Sequence, residues 1–149
     1  MQRWLKSLFS NLFDRKTPLD EQAIQLGVKG SAILTDVVRR QFVSAQTNPQ
    51  SLSKTHEEFV CGYIAGFADF LANAAGEEPG GSLSQTIALR VFETTFGNSA
   101  RERLMHETWE WMHSGSTTLT QGMLIGAADA NALMEKQIPT ELHTYLSSS

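Results

Sequence analysis

Residues 61–70 read Cys61-Gly62-Tyr63-Ile64-Ala65-Gly66-Phe67-Ala68-Asp69-Phe70. The stretch is apolar enough for a buried helix, yet it holds two glycines and a carboxylate. Each glycine costs a helix interior about 1 kcal/mol relative to alanine. A buried carboxylate costs more unless it is paired. At about 3.6 residues per turn, positions i, i+4 and i+7 share a face, so Gly62, Gly66 and Asp69 form one stripe. A glycine stripe lets a second backbone come close, and that packing can offset the propensity cost.

The pattern recurs. Gly122-x-x-x-Gly126-x-x-Asp129 repeats Gly62-x-x-x-Gly66-x-x-Asp69 at an offset of 60 residues. Around it, Ala32–Phe42 loosely parallels Ile87–Phe96. The expectation is a helical hairpin used twice, with halves at 17–76 and 82–138 and approximate two-fold symmetry. Its motif helices would cross at Gly62, Gly66, Gly122 and Gly126. Chance recurrence is the alternative, because glycine and alanine are common in this chain. Asp69 and Asp129 would flank the crossing and need donors. They either tie a neighbouring helix end or loop, or pair as a binding site for a cation or for acid–base chemistry.

Punctuation divides the remainder into helices. Thr17-Pro18-Leu19-Asp20 reads as a helix start, and Asn48-Pro49 ends the segment that follows. Capping-box spacings occur at Thr55–Glu58, Ser82–Gln85 and Thr118–Gln121, and Ser99–Glu102 opens a further helix. Gly76–Gly81 is a loop, and Gly97 suits a helix stop. No segment alternates apolar and polar residues, and no hairpin turn signal occurs. The fold class is therefore all-α: a helical bundle of about five to six helices at 17–139, an N-terminal amphipathic helix at 1–16 and a fraying tail at 140–149.

Composition narrows the function. The chain has 149 residues, 41% hydrophobic and 19% charged, which suits one globular domain. A net charge of −4 argues against nucleic acid as a partner. The single cysteine, Cys61, excludes an internal disulfide and a cysteine-based zinc site, and it fits a cytoplasmic protein. No apolar run is long enough to cross a membrane. No phosphate-binding glycine loop, nucleophile elbow or metalloprotease motif occurs, and no cofactor is expected.

Three further patterns bear on function. His106, Glu110 and His113 fall on one helix face, and Glu110-x-x-His113 has the spacing used by di-iron bundles, although no second copy accompanies it. A metal site and an exposed polar face are the two readings. Trp109 and Trp111, two residues apart, cannot both face a core. Finally, Trp4, Leu5, Leu8, Phe9, Leu12 and Phe13 form one apolar stripe within residues 1–16. That segment has four basic residues against Asp14, a net +3, which leaves −7 on residues 17–149. Such a helix docks on its own domain, on a second copy of the chain, or on an anionic membrane surface.

The sequence thus points to a non-enzymatic module for protein–protein interaction or self-association. It would be cytoplasmic, or peripheral at the membrane through residues 1–16. The alternative is a small helical metal- or ligand-binding protein, with an enzyme included in that reading. It would use the Asp69/Asp129 pair or the Glu110/His113 face.

Overall fold

A computed structural model of the chain describes residues 19–148. Among them are six α-helices and no strand: α1 (Leu19–Ser44), α2 (Lys54–Ala74), α3 (Ser82–Phe96), α4 (Asn98–His113), α5 (Thr117–Met134) and α6 (Glu141–Ser147). A 3₁₀ turn at Pro49–Ser51 follows α1, with Asn48 Oδ1 accepting the Gln50 amide at 2.9 Å. The class is all-α, as the periodicity predicts.

Helix α2 is the axis of the molecule. Phe59, Tyr63, Phe67 and Leu71 are buried on one side and Cys61, Gly62, Gly66, Ala68 and Ala72 on the other, so burial runs around most of its circumference. A helix that is apolar on most sides must be covered on most sides. The cover comes from Leu34, Val38 and Phe42 of α1, Ile87, Val91 and Phe92 of α3, Leu104 of α4, and Leu119 and Ala130 of α5. Helices α1 and α3 run the same way side by side. Gly27 lies against Thr86, Gly30 against Ile87, and Arg90 Nε donates to Ser31 Oγ at 3.2 Å. Helix α2 runs back between them, with Leu71 near Gly30 and Tyr63 near Gln41.

The joints explain where the sequence signals slipped. Ser53, not Thr55, caps α2 by accepting the His56 amide, and Ser116, not Thr118, caps α5 by accepting the Leu119 amide. Both true caps lack the Glu or Gln three residues on that makes a box visible. Helix α3 starts after Gly81 with no side-chain cap. One residue, Gly97, both ends α3 and precedes α4 at φ 100°, a backbone region that an L side chain rarely adopts. That single-residue joint folds α4 back onto α3.

The segment expected to fray is instead a helix. In α6, Leu142 and Leu146 are buried and Tyr145 stacks on Phe59 with ring centroids 3.6 Å apart. Seven residues cannot hold a helix alone. Leu142, Tyr145 and Leu146 supply an apolar stripe at i, i+3 and i+4, and tertiary packing does the rest.

An ion-pair cluster bridges α4 and α2. Lys54 Nζ lies 2.5 Å and Arg103 2.8 Å from the Glu107 carboxylate, and Arg103 also reaches Glu57 at 3.2 Å. Burial pushes the Glu107 carboxyl upward, but Lys54 and Arg103 outweigh it and hold the group below its ordinary value. Its contribution is therefore in place above about pH 4 and lost on acidification. Both cations are largely exposed, so the cluster is worth little in screened solution. Glu107→Gln is expected to cost under about 1 kcal/mol in urea unfolding at low salt, and less in 0.5 M salt, on the scale of exposed pairs.

Candidate functional site

The molecule's most extensive helix contact joins α2 and α5, and it is made of backbone. A Cβ added to Gly62 would run into the Leu119 carbonyl oxygen, and one added to Gly122 into the Phe59 carbonyl oxygen. Gly66 faces the Met123 carbonyl, with Met123 Cα only 2.6 Å from the added Cβ, and Gly126 faces the Tyr63 carbonyl. Each glycine thus meets the carbonyl three residues before its counterpart. The crossing obeys a local two-fold rule, and α2 and α5 run in the same direction through it.

The two aspartates sit just past this crossing and behave alike in one respect. Asp69 Oδ1 accepts the Gly80 amide at 2.8 Å, and Asp129 Oδ2 accepts the Glu141 amide at 3.1 Å. Each carboxylate therefore fastens the chain that follows its own helix. They differ in what else they meet. Tyr63 Oη donates to Asp129 Oδ2 at 2.5 Å, and Gln41 Nε2 donates to Tyr63 Oη at 2.9 Å. Gln41 Oε1 then accepts the His143 amide at 2.9 Å. This chain links α1, α2, α5 and α6.

Burial pushes the Asp129 carboxyl above its ordinary value, against the Tyr63 hydroxyl and the amides of Glu141 and Leu142, which favour the charged form. Burial and the neighbouring Asp129 charge likewise push the Tyr63 phenol up. The position matching Tyr63 at the offset of 60 is Met123. Asp69 consequently has no phenol partner and borders a surface groove instead. The two carboxylates do not share a cavity, so they do not assemble into the paired site weighed from sequence.

The groove is about 320 Å³ and lies between α2, α3, α4 and α5. Phe92, Met105 and Met123 form its wall, Trp109 and Met112 its rim, and Asp69 its one charged end among the described residues. Trp109 and Met112 are 54% and 43% exposed. Three of the chain's five methionines line it, which makes the surface deformable, because thioether side chains repack easily. Thr108 stands at the floor beside Cys61, whose thiol is buried and pushed up by desolvation, and hence unreactive.

Met105, Trp109 and Met112 repeat at i, i+4 and i+7, so the α4 side of the groove has a helical signature in the sequence. It sits beside the polar stripe His106, Glu110 and His113, whose Glu-x-x-His spacing is the more specific motif. The structure does not bring these three side chains together. His106 Nε2 and Glu110 Oε1 are 3.8 Å apart with side chains 74% and 57% exposed. His113 stacks on Trp109 at 3.6 Å, and its Nδ1 lies 2.9 Å from the Trp109 carbonyl oxygen. Among the described residues no three His, Cys, Asp or Glu side chains stand together to hold a metal. Trp111 faces the core while Trp109 does not. The stripe of Trp4, Leu5, Leu8, Phe9, Leu12 and Phe13 lies outside the described residues.

No helix among the described residues is long and apolar enough to cross a membrane. No protein-family description, curated protein or solved structure matches the chain.

Proposed function

We propose that this protein is a helical interaction module that binds the apolar face of a partner helix in the groove between α2, α3, α4 and α5 and performs no chemistry of its own. One observation carries the reading. Trp109 and Met112 stand exposed on the rim of a groove walled by Met105, Met123 and Phe92. Large exposed side chains cost little singly, but a tryptophan and three methionines around one concavity form a receptor for an amphipathic helix. Tryptophan is enriched at the energetic centres of such interfaces. The aspartates support the reading from the other side. Asp69, which holds the chain before α3 through the Gly80 amide, steadies one end of the groove and favours a cationic partner there, while Asp129 fastens α6 outside it.

A designed amphipathic peptide of leucine and lysine, titrated into the full chain carrying ¹³C-methyl methionine, tests this. The Met105, Met112 and Met123 resonances should move with micromolar saturation while Met134, buried elsewhere on α5, stays still. Met112→Glu, at an exposed rim position, should weaken the response at least tenfold without changing the melting temperature. Uniform shifts, or none, would remove the groove reading.

A further inference from the structure

The groove reading leaves its occupant open, and the chain carries a segment that fits. Residues 1–16 have a net charge of +3 and one apolar stripe, Trp4, Leu5, Leu8, Phe9, Leu12 and Phe13. The groove offers aromatic and thioether walls with one carboxylate, Asp69, at its end. The acidic loop residues Glu77 and Glu78 lie exposed beside that same end, next to Gly80. Charge and polarity therefore match in kind and in position.

The route also fits. Because α1 and α3 run in register, with Gly27 against Thr86, the start of α1 at Leu19 projects beyond the start of α3 at Ser82. Leu19 lies eight positions before Gly27 and Ser82 four before Thr86, so α1 starts about 6 Å beyond α3 at about 1.5 Å per residue. The chain thus enters α1 beside the Gly76–Gly81 loop, at the Asp69 end of the groove. Helix α3 stands between, presenting Thr86 and Ile87 to α1 and Ser84, Gln85 and Ala88 to the groove. Passing over its end requires about one helix diameter, roughly 10 Å. Arg15 to Pro18 spans that when extended, at up to about 3.5 Å per residue. Arg15 and Lys16 would then lie over Asp69, Glu77 and Glu78, with the apolar stripe leading into the groove.

We infer that residues 1–16 are the groove's resident occupant, bound in the same chain, and that a partner helix must displace them. The inference rests on the groove reading above. It makes the module self-covered: a competing helix sees an affinity reduced by the occupancy of the chain's own segment.

The test uses the full chain with ¹³C-methyl methionine and isoleucine and a nitroxide on Ser10→Cys, a position off the apolar stripe. Cys61 is buried and escapes labelling. The label should broaden the Met105, Met112 and Met123 methyls at least fivefold more than Met134 or the exposed Ile24. The effect should persist on dilution and be absent when the nitroxide and the ¹³C labels reside on different, mixed chains. Leu5→Glu/Leu8→Glu should abolish it and raise the affinity of the leucine–lysine peptide at least tenfold. Equal broadening of all methyls, broadening centred on Ile24, or broadening only in the mixed sample would overturn the inference. The last would place the segment on a second copy. If the peptide moves the groove methyls but the nitroxide does not, the groove reading stands and this occupant is wrong. If neither does, both fall.

Discussion

Gly66→Ala is expected to destabilise the protein by about 3 kcal/mol, the upper end of what an added methyl does in a packed core. The sign is not obvious from sequence. Alanine is the better helix former by about 1 kcal/mol, and on an exposed helix the change would stabilise. Here the new Cβ would overlap the Met123 backbone, with Met123 Cα at 2.6 Å. Backbone cannot rotate aside as a side chain can, so α5 must move, and the contacts of Gly62, Gly122 and Gly126 loosen with it. Gly30→Ala is the control. Its Cβ would meet the Ile87 Cδ1 at 2.8 Å, the far end of a flexible side chain, and the expected change is within about 1 kcal/mol of zero. Gly126→Ala should resemble Gly66→Ala. The double variant should cost much less than the sum, because one substitution already separates the helices. Urea unfolding of the four variants measures all of this. A Gly66→Ala loss no larger than that of Gly30→Ala would mean that α2 and α5 do not meet backbone to backbone.

Why some of this architecture is legible in sequence and some is not follows from the range of the forces involved. The all-helical class rests on the spacing of apolar residues and on Gly and Pro punctuation, which are local. Glycines four apart in an apolar helix likewise carry their own argument, since only close approach offsets their propensity cost. Helix α6 escaped because its seven residues are held by contacts with Phe59, Asp129 and Gln41, distant in sequence. The partner of Asp129 escaped for the same reason. Nothing near position 129 indicates that Tyr63 and Gln41 converge on it. The groove is a mixed case. Met105, Trp109 and Met112 formed a visible stripe on α4, but a stripe does not say whether it faces a core or a concavity. That depends on the one-residue joint at Gly97, which sets how α4 lies on α3, and on Met123 arriving from α5. The polar stripe at His106, Glu110 and His113 has ligand spacing, but a bundle metal site also needs ligands from facing helices, and among the described residues no such group forms.

Asp129→Ala should cost about 3–4 kcal/mol, a figure set by the groups it leaves behind. The Tyr63 hydroxyl and the Glu141 amide would both lose their acceptor in a buried place, at about 1–3 kcal/mol each. The loss should be concentrated in α6. Hydrogen exchange at the Glu141 and Leu142 amides is expected to rise toward unfolded rates, while Phe67 and Leu71 on α2 stay protected relative to the remaining global stability. Asp129→Asn keeps an oxygen acceptor, and the sign of its effect depends on pH. Because the Asp129 pKa is raised in the folded protein, its favourable contribution is complete below the unfolded carboxylate value, about 4, and is lost as pH rises through the folded value. The native protein should therefore gain stability relative to Asp129→Asn as pH falls from 7 toward 4. Glu107, whose pKa is lowered, acts in the opposite sense but is common to both chains and cancels in the comparison. Unfolding free energies of the two proteins across that interval decide the matter. A difference that does not vary with pH would mean that Asp129 carries its charge without strain. A loss under about 1 kcal/mol for Asp129→Ala, the net worth of one ordinary hydrogen bond, would mean that the Tyr63–Gln41 chain does not hold α6 in place.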